Sequence, residues 1–481
     1  MSYKHRFMFI GLGGTGLKVG KELEQLLRRQ ICGADGLELT RQGKFADYKK
    51  NQLPPFYQSV YVDFSQDEMK GLENYLSELD PTAIGSTASI VATLSSASSY
   101  QRIAAKLRAN HSEIVSEWLP GPDGEPTHAP MSTGAAQFPT IGRAALFDRI
   151  SDVGIGGVFS PMEKAFGRLA ASTGELQAYN SSIGGGDKSG ASGIVIFVAA
   201  SLSGGTGSGL FLDVIKIATA MAQKNLGGIE VTVIPLIAGP SAFKGSASDN
   251  QMRMLNLNFA RGILDLSELV DHSNATDVVR ERFFRQQYPS SQEKFEVDIT
   301  SNGAAPLFTT FLFSRPVAYK DVNDLWRSMA VYATTLVSQA DTEVLKDPTG
   351  NMTGLHTVES ADRFAFFQDI INLRSANKDE ALHTIHPTGI GRLSMVEAAT
   401  ASLSVPVKKL SYFLAQYMAL QAAESLHDQI GSSSNAFAEY VDRDLEGSKE
   451  CFEQMLARLP EGHWVNELIN VLNPNPDKDD F

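Results

Sequence analysis

The tetrapeptide Gly-Gly-Thr-Gly occurs twice, at residues 13–16 and 204–207. Each copy follows a short apolar run and precedes a segment with helical periodicity, and this arrangement limits the fold more than any other feature of the chain. Phe7, Met8, Phe9 and Ile10 are apolar at consecutive positions, as in a strand covered on both faces by helices. After the first copy, Val19, Leu23, Leu26 and Leu27 give residues 17–30 a helical stripe, and Gly33 is placed to end that helix. A second strand at 59–62 ends on Asp63. A third strand is expected at 194–200, a helix at 213–223 and a fourth strand at 231–237. Strands alternating with helices specify an α/β, Rossmann-like, doubly wound parallel sheet.

Composition sets the class. With 43% apolar residues in 481, the chain can build full cores without disulfides or metal staples, in two or three domains. Forty-two basic against fifty-five acidic residues leave a net charge of −13, which excludes a nonspecific nucleic-acid binder. Cys32 and Cys451 form no framework and fit a reducing compartment. The apolar stretch at 7–10 is too short for a signal-peptide core, and the runs at 194–202 and 231–238 fall far below the ~20 residues of a membrane span. A soluble, cytoplasmic protein with no integral membrane segment is expected.

Further along, residues 120–130 and 181–190 read as loops, and 347–351 (Asp-Pro-Thr-Gly-Asn) break the chain after a long helix over 320–345. A strand near 390–395 and helices over 406–430 and 435–458 follow. The Pro-broken acidic tail, 473–481, is expected to be disordered.

The glycine turns carry the chemistry. In Gly11-x-Gly13-x-x-Gly16, a Gly-rich turn lets backbone N–H groups approach a phosphate at the positive end of a helix. The spacing suits a dinucleotide fingerprint as well as other nucleotide loops, and a bare strand–helix turn would read the same. A Walker-type loop fails, because Gly20-Lys21 is followed by Glu22. The stretch Ser203-Gly204-Gly205-Thr206-Gly207-Ser208-Gly209 repeats the arrangement with four glycines and, with them, the Thr206 and Ser208 hydroxyls, a concave set of donors. Two such turns at the ends of parallel strands would converge on one ligand with several phosphates. Asp63, ending its strand, is placed either for Mg2+ through water or as a turn or cap aspartate. Lys18 either approaches base or phosphate or is solvated. His383 and His386 have helical spacing without an acidic companion and read as a surface pair.

These residues resemble the tubulin/FtsZ superfamily, most closely its divergent bacterial tubulin-like branch. Residues 203–209 resemble the GGGTGSG signature with serine in place of the first glycine, and 13–20 resemble the first phosphate loop. Residues 60–65 are similar to the segment whose aspartate lies near metal and phosphates, 134–143 to the loop that cups the terminal phosphate, and 321–325 to the start of the central helix. The resemblance implies a GTP-binding domain over 1–318, a central helix over 319–346, a C-terminal α/β domain over 347–472 and the tail 473–481. It implies GTP/GDP and Mg2+ as cofactors. Gly13, Gly14, Thr15 and Gly16 would hold the α/β-phosphates. Ser203, Gly204, Gly205, Thr206, Gly207 and Ser208 would wrap the β/γ-phosphates, and Gly134, Ala135 and Ala136 would approach the γ-phosphate. Lys18 would lie near base or phosphate, Asp63 would serve the metal, and Asn323 and Asp324 would read guanine or cap the helix.

Head-to-tail filaments, and an adaptor on the acidic tail, are implied as partners. Hydrolysis in this family uses acids on the loop after the central helix, offered to the next subunit's nucleotide. Here Thr353 and Gly354 stand where those acids belong, leaving Asn351 with Asp347, Glu359 and Asp362 as substitutes. Turnover is therefore expected to be weak or coupled to assembly. The ribose partner is open, with Lys244 near the expected place and Asp249 and Arg253 beyond it. A non-hydrolysing nucleotide switch or scaffold is the alternative, and an NAD(P)-dependent enzyme built on Gly11–Gly16 is the remote one.

Overall fold

A computed structural model describes residues 2–339, except 4, 34, 80–86, 92–98, 127–133, 184–192, 228, 274–284, 290–294, 299–309 and 316–320, together with 395–397. The chain divides into two compact units, Met1–Ala401 and Ser402–Phe481, and every described residue belongs to the first. The helices expected at 406–430 and 435–458, the break at 347–351, the histidine pair and the tail lie outside the described residues.

The first elements are β1 (Ser2–Tyr3), β2 (Arg6–Leu12), α1 (Gly13–Ile31), β3 (Tyr57–Asp63), α2 (Gln66–Leu79), β4 (Thr87–Val91), α3 (Tyr100–Val115), α4 (Pro139–Ala171) and α5 (Thr173–Ser182). They are followed by β5 (Gly193–Ser201), α6 (Gly205–Asn225), β6 (Glu230–Ala238), α7 (Asp249–Ser273), β7 (Arg285–Tyr288), β8 (Phe295–Asp298) and β9 (Thr310–Phe313). The last are α8 (Val322–Val337), β10 (Ser338–Gln339) and β11 (Met395–Glu397). Seven strands form one parallel sheet in the order β11-β9-β6-β5-β2-β3-β4.

The unbroken apolar runs now have their reason. Along β2, Met8, Ile10 and Leu12 enter one core, with residues of α3, α4 and α6, while Phe7 and Phe9 enter the other, with α1, α2 and α8. β5 divides in the same way, Ile196 and Val198 to one side and Phe197 and Ala199 to the other. Each of the larger of these side chains (Phe, Met, Ile, Leu, Val), fully buried, contributes about 1.5–3 kcal/mol, so helices on both faces are the state these strands demand. Gly33, with φ +76°, terminates α1 as expected. Between α1 and β3, Gly20 leaves room for the Tyr61 hydroxyl, which donates to Glu24 Oε1 at 3.0 Å beside a buried Arg28–Glu24 ion pair of 2.7 Å.

Two expectations about helices are corrected. Helix α6 begins at Gly205, not near 213, because its glycines pack where any side chain would collide, and packing outweighs their poor helix propensity. Helix α8 ends at Val337, short of the expected 345. The Thr334 and Thr335 hydroxyls turn back onto the Val331 carbonyl at 2.8 and 2.9 Å. Ser338–Gln339 then pairs antiparallel with Ser2–Tyr3 instead of continuing the helix. Among the described residues, no helix is long and apolar enough to cross a membrane.

Candidate functional site at the strand-order reversal

The chain moves from β2 through β3 to β4 on one side of the sheet, then returns to β5 on the other side of β2. The carboxyl ends of β2 and β5 therefore flank the point where strand order reverses, the usual crevice for a ligand in an open α/β sheet. Both Gly-Gly-Thr-Gly segments stand there, and they touch. A Cβ placed on Gly13, whose φ is +63°, would lie 3.1 Å from Thr206 Cβ and 3.3 Å from the Gly207 nitrogen.

Neither copy is a loop in the ordinary sense, since α1 starts at Gly13 and α6 at Gly205. Their N-cap residues, Leu12 and Gly204, give no side-chain cap, and neither first turn contains an acidic residue. Helix α4 begins likewise, with Phe138 as an N-cap offering no side-chain hydrogen bond and no acid in the first turn. Its start is packed onto α6, where a Cβ on Gly209 would meet the Pro139 carbonyl oxygen at 2.3 Å and one on Gly142 the Gly205 oxygen at 2.6 Å. Three helix N-termini with no side-chain cap and no acid in their own first turns thus converge beside the crevice.

The segment preceding α4 is fastened to the second glycine turn. Gly134 and Ala136 have positive φ, +98° and +48°, and the Ala136 carbonyl accepts the Gly205 N–H at 2.8 Å. Ala135 is buried and Ala136 exposed. Asn258, on α7, donates its side-chain amide to the carbonyls of both Gln137 (2.7 Å) and Ser203 (3.0 Å). No feature of residue type or spacing singles out Asn258 in the sequence.

The two hydroxyls expected to face a ligand are engaged within the protein. Ser208 Oγ donates to the Gly204 carbonyl, and the Thr206 hydroxyl to Asp63. Ser203 is different. Its hydroxyl is completely buried with no hydrogen-bond partner, an orphaned donor within the second turn that a phosphate oxygen would satisfy.

Asp63 is 2% exposed at the end of β3, and its Oδ1 accepts the N–H groups of Phe64 (2.7 Å) and Ser65 (3.2 Å). Burial, aided by the charge of Glu68, pushes its carboxyl up to about 6 despite those donors. Ser65 and Glu68 have the spacing of a capping box, and Glu68 N–H reaches Ser65 Oγ at 3.5 Å. Asp63 already holds the Ser65 N–H that the Glu68 carboxylate would accept. The Glu68 Oε1 lies instead 3.4 Å from where a Cβ on Gly14 would stand, at the mouth of the first turn. Glu68 was not foreseen, because its pattern reads as an ordinary helix start. Among the described residues, no group of three His, Cys, Asp or Glu is arranged to hold a metal ion. Mg2+ at such a site takes one or two carboxylates and completes its shell with phosphate oxygens and water, a requirement that Asp63, with Glu68 alongside, can meet.

Helices α1 and α8 pack on one face of the sheet, and both follow carboxyl ends of parallel strands, so they run in the same direction. Arg327 pairs with Glu22 between them at 3.3 Å. One turn nearer the crevice stand Lys18 on α1 and Asn323 on α8, both exposed. Asn323 donates its backbone and side-chain N–H groups to the carboxylate of Asp321, and Asp324 Oδ2 accepts the Asp321 N–H at 3.3 Å. These bonds hold the Asp321 carboxyl below the usual range, the Asn323 backbone N–H being the main cause. Asp321 therefore caps α8 at the rim of the crevice, with Asp324 bonding back to its N–H and Asn323 donating to its carboxylate. Lys244, Asp249 and Arg253 are exposed beyond β6. Arg143 is bound to Asp213 through Nε (2.9 Å) and Nη2 (3.2 Å), tying α4 to α6. Asp347, Asn351, Glu359 and Asp362 lie outside the described residues.

The model of a protein family described as "Tubulin like" matches residues 8–424. Among solved structures, the chain is similar to CetZ2 from Haloferax volcanii, a GTPgS-bound protofilament, with 13% identity, TM-score 0.30, and coverage of 72% of this chain and 64% of that one. It is similar also to a GTPyS-form protofilament of TubZ from Bacillus thuringiensis serovar israelensis (14% identity, TM-score 0.31, coverage 70% and 56%). A helical model of the TubZ-Bt two-stranded filament matches with 13% identity and TM-score 0.35, covering 76% of this chain and 60% of that one. The chain thus spans less than two thirds of the length of each. No curated protein matches it.

Proposed function

Because this chain belongs to the tubulin-like family, we propose that it is a guanine-nucleotide-binding protein that assembles head-to-tail into nucleotide-dependent filaments, with weak or assembly-coupled GTP hydrolysis. The observation that carries this reading is the convergence of the α1, α6 and α4 N-termini, uncapped by side chains and free of acidic residues in their first turns, at the strand-order reversal. A polyphosphate is the ligand that such a set of backbone donors suits.

In this reading Gly13, Gly14, Thr15 and Gly16 offer backbone N–H groups to the α/β-phosphates. Gly204, Thr206 and Gly207, with the Ser203 hydroxyl, face the β/γ-phosphates. The Gly205 N–H is held by Ala136, so Gly205 contributes shape and not a donor. Gly134, Ala135 and Ala136 border the γ-phosphate. Asn323 and Asp324 read the guanine edge, for which Asn323 exchanges its bond to Asp321, and Lys18 flanks the base. Asp63 would take Mg2+, which supplies charge neutralisation between the phosphates. Asp347, Asn351 and Glu359 would serve the nucleotide of a neighbouring subunit in a heterologous contact that does not close on itself, and the acidic tail at 473–481 would serve an adaptor. The protein acts in the cytoplasm.

A second reading, a nucleotide switch or scaffold without turnover, is favoured by Thr353 and Gly354 standing where catalytic acids would be expected. Pelleting and phosphate release with GTP, GDP, ATP and NAD, across protein concentrations, separates the two. GTP-specific pelleting with phosphate release above a critical concentration supports the assembling GTPase. Tight GTP binding without pelleting or turnover selects the switch, and absence of guanine-nucleotide binding overturns both.

A further inference from the structure

Two segments far apart in sequence border the crevice where the γ-phosphate is proposed to lie: residues 134–138 before α4, and the turn from Ser201 to Gly204 after β5. Each is irregular backbone, and each must keep its position relative to the other if one phosphate is to touch both. Besides packing at Gly205, two hydrogen-bonding devices reach from one to the other. One is backbone to backbone, the Ala136 carbonyl accepting the Gly205 N–H at 2.8 Å. The other is a side chain from a third element, Asn258 on α7, whose Nδ2 donates to Gln137 O at 2.7 Å and to Ser203 O at 3.0 Å. An amide nitrogen has two hydrogens, so both bonds form at once, and the pair uses its full donor capacity.

The Asn258 anchor is itself well fixed. Four residues along, Gly262 lets α7 approach so closely that a Cβ there would meet Leu202 Cβ at 2.9 Å. Leu255 and Leu266 are buried on the same helix. Helix α7 therefore rests directly on the second turn, and Asn258 extends that rigid contact to the segment before α4.

We propose that Asn258 is a positioning residue for the γ-phosphate: by fixing residues 134–138 to the second glycine turn, it sets the preference of this site for a nucleoside triphosphate over the diphosphate. This inference rests on the nucleotide-binding reading above. The diphosphate needs only the two glycine turns, which touch each other independently of Asn258 through Gly13 and Thr206. The triphosphate needs residues 134–138 in addition. Loss of Asn258 removes the side-chain tie and leaves that segment to its backbone bond with Gly205 and its packing there, and the added freedom is felt most by the terminal phosphate.

The test measures GTPγS and GDP affinities by titration calorimetry, with Mg2+ present, for the wild type, Asn258→Ala and Asn258→Asp, together with melting temperatures. The aspartate keeps the shape of the side chain but removes both donors and sets a carboxylate against two carbonyl oxygens. Loss of two hydrogen bonds of ordinary net strength corresponds to about a tenfold effect. The expected result is GTPγS binding weakened about tenfold by alanine and more by aspartate, with GDP binding changed less than about twofold. Asn258→Gln, which keeps the amide, should recover part of the GTPγS affinity. Equal weakening of both nucleotides would reduce Asn258 to a structural bond and overturn the proposal, as would unchanged affinities. A wild type that binds neither nucleotide fails the nucleotide-binding reading itself, an outcome distinct from any behaviour of the variants.

Discussion

The two Gly-Gly-Thr-Gly segments are identical in sequence and occupy equivalent places after neighbouring parallel strands, yet their glycines are there for different reasons. At the first position, Gly13 has φ +63° and presses on Thr206, whereas Gly204 has φ −82° and open space where a Cβ would go. At the second, a Cβ on Gly14 would face only the Glu68 side chain, at 3.4 Å, while one on Gly205 would meet the Ala135 carbonyl oxygen at 2.6 Å. The final glycines agree. A Cβ on Gly16 would be 2.5 Å from the Gly11 carbonyl carbon, and one on Gly207 would be 2.5 Å from the Ser201 oxygen. Their shared task is to let the first helical turn lie on the strand that precedes it. The rest of each tetrapeptide is fitted to its own surroundings, an acid-flanked mouth in one case and a backbone clamp in the other.

The comparison can be broken most directly at the shared position. Gly16→Ala and Gly207→Ala should each cost about 3 kcal/mol or more, because the obstruction is backbone that cannot turn aside. Denaturant melts giving less than about 1 kcal/mol for either would show that the turns yield. At Gly204 the same change should stay within about 0.5 kcal/mol, and a large loss there would erase the difference between the copies.

Asp63 holds Thr206 of the second turn and provides the next largest effect. Its folded-state value of about 6 lies above the ordinary 3.8, so ionisation opposes folding. The penalty is complete above about pH 6 and disappears as the pH falls toward 4, amounting to about 3 kcal/mol by linkage. Relative to Asp63→Asn, the wild type without nucleotide should therefore be more stable at pH 5 than at pH 7. An unchanged difference in melting temperature between those pH values would contradict the buried, strained carboxylate.

Glu68 flanks only the first turn. Glu68→Gln should strengthen GTP binding about fivefold in EDTA, the effect of removing a charge worth about 1 kcal/mol near a phosphate in water. The gain should shrink when Mg2+ is added, and a gain unaffected by Mg2+ would separate Glu68 from the phosphate. The smallest effect belongs to Ala136. With φ +48°, it carries a left-handed conformation that glycine adopts freely, so Ala136→Gly should stabilise the protein by about 0.5–1 kcal/mol or leave it unchanged, read from the same melts.

What the chain revealed before its structure was the part governed by local patterning. The apolar runs of β2, β3, β5 and β6 could be read because burial on two faces leaves few polar positions, and the glycine turns because no other residue type suits their geometry. The start of α6 was misplaced for the same reason. Glycine argues for a loop until the packing partner, here residues 134–143, is known. The end of α8 depended on pairing with residues 2–3, a contact across almost the whole described chain that no window of sequence contains. Asn258 and Glu68 escaped notice because their roles are set by carbonyls and turns distant in sequence. Thr206 and Ser208 show the converse, since a hydroxyl in a phosphate-like loop does not declare whether it faces a ligand or its own backbone.

The position of β2 has a consequence for how the molecule is made. It is paired inside the sheet with β5, which follows it in the chain only about 180 residues later. At translation rates of about 5–20 residues per second, one side of β2 stays unpaired for roughly 10–40 s. Through that interval the crevice does not exist, because its second wall has not left the ribosome. Ligand can stabilise the finished domain but cannot guide the early chain, and the burden of keeping an open, mostly apolar strand from pairing with the wrong partner falls on β3 and the helices α1 and α2 that fold with it.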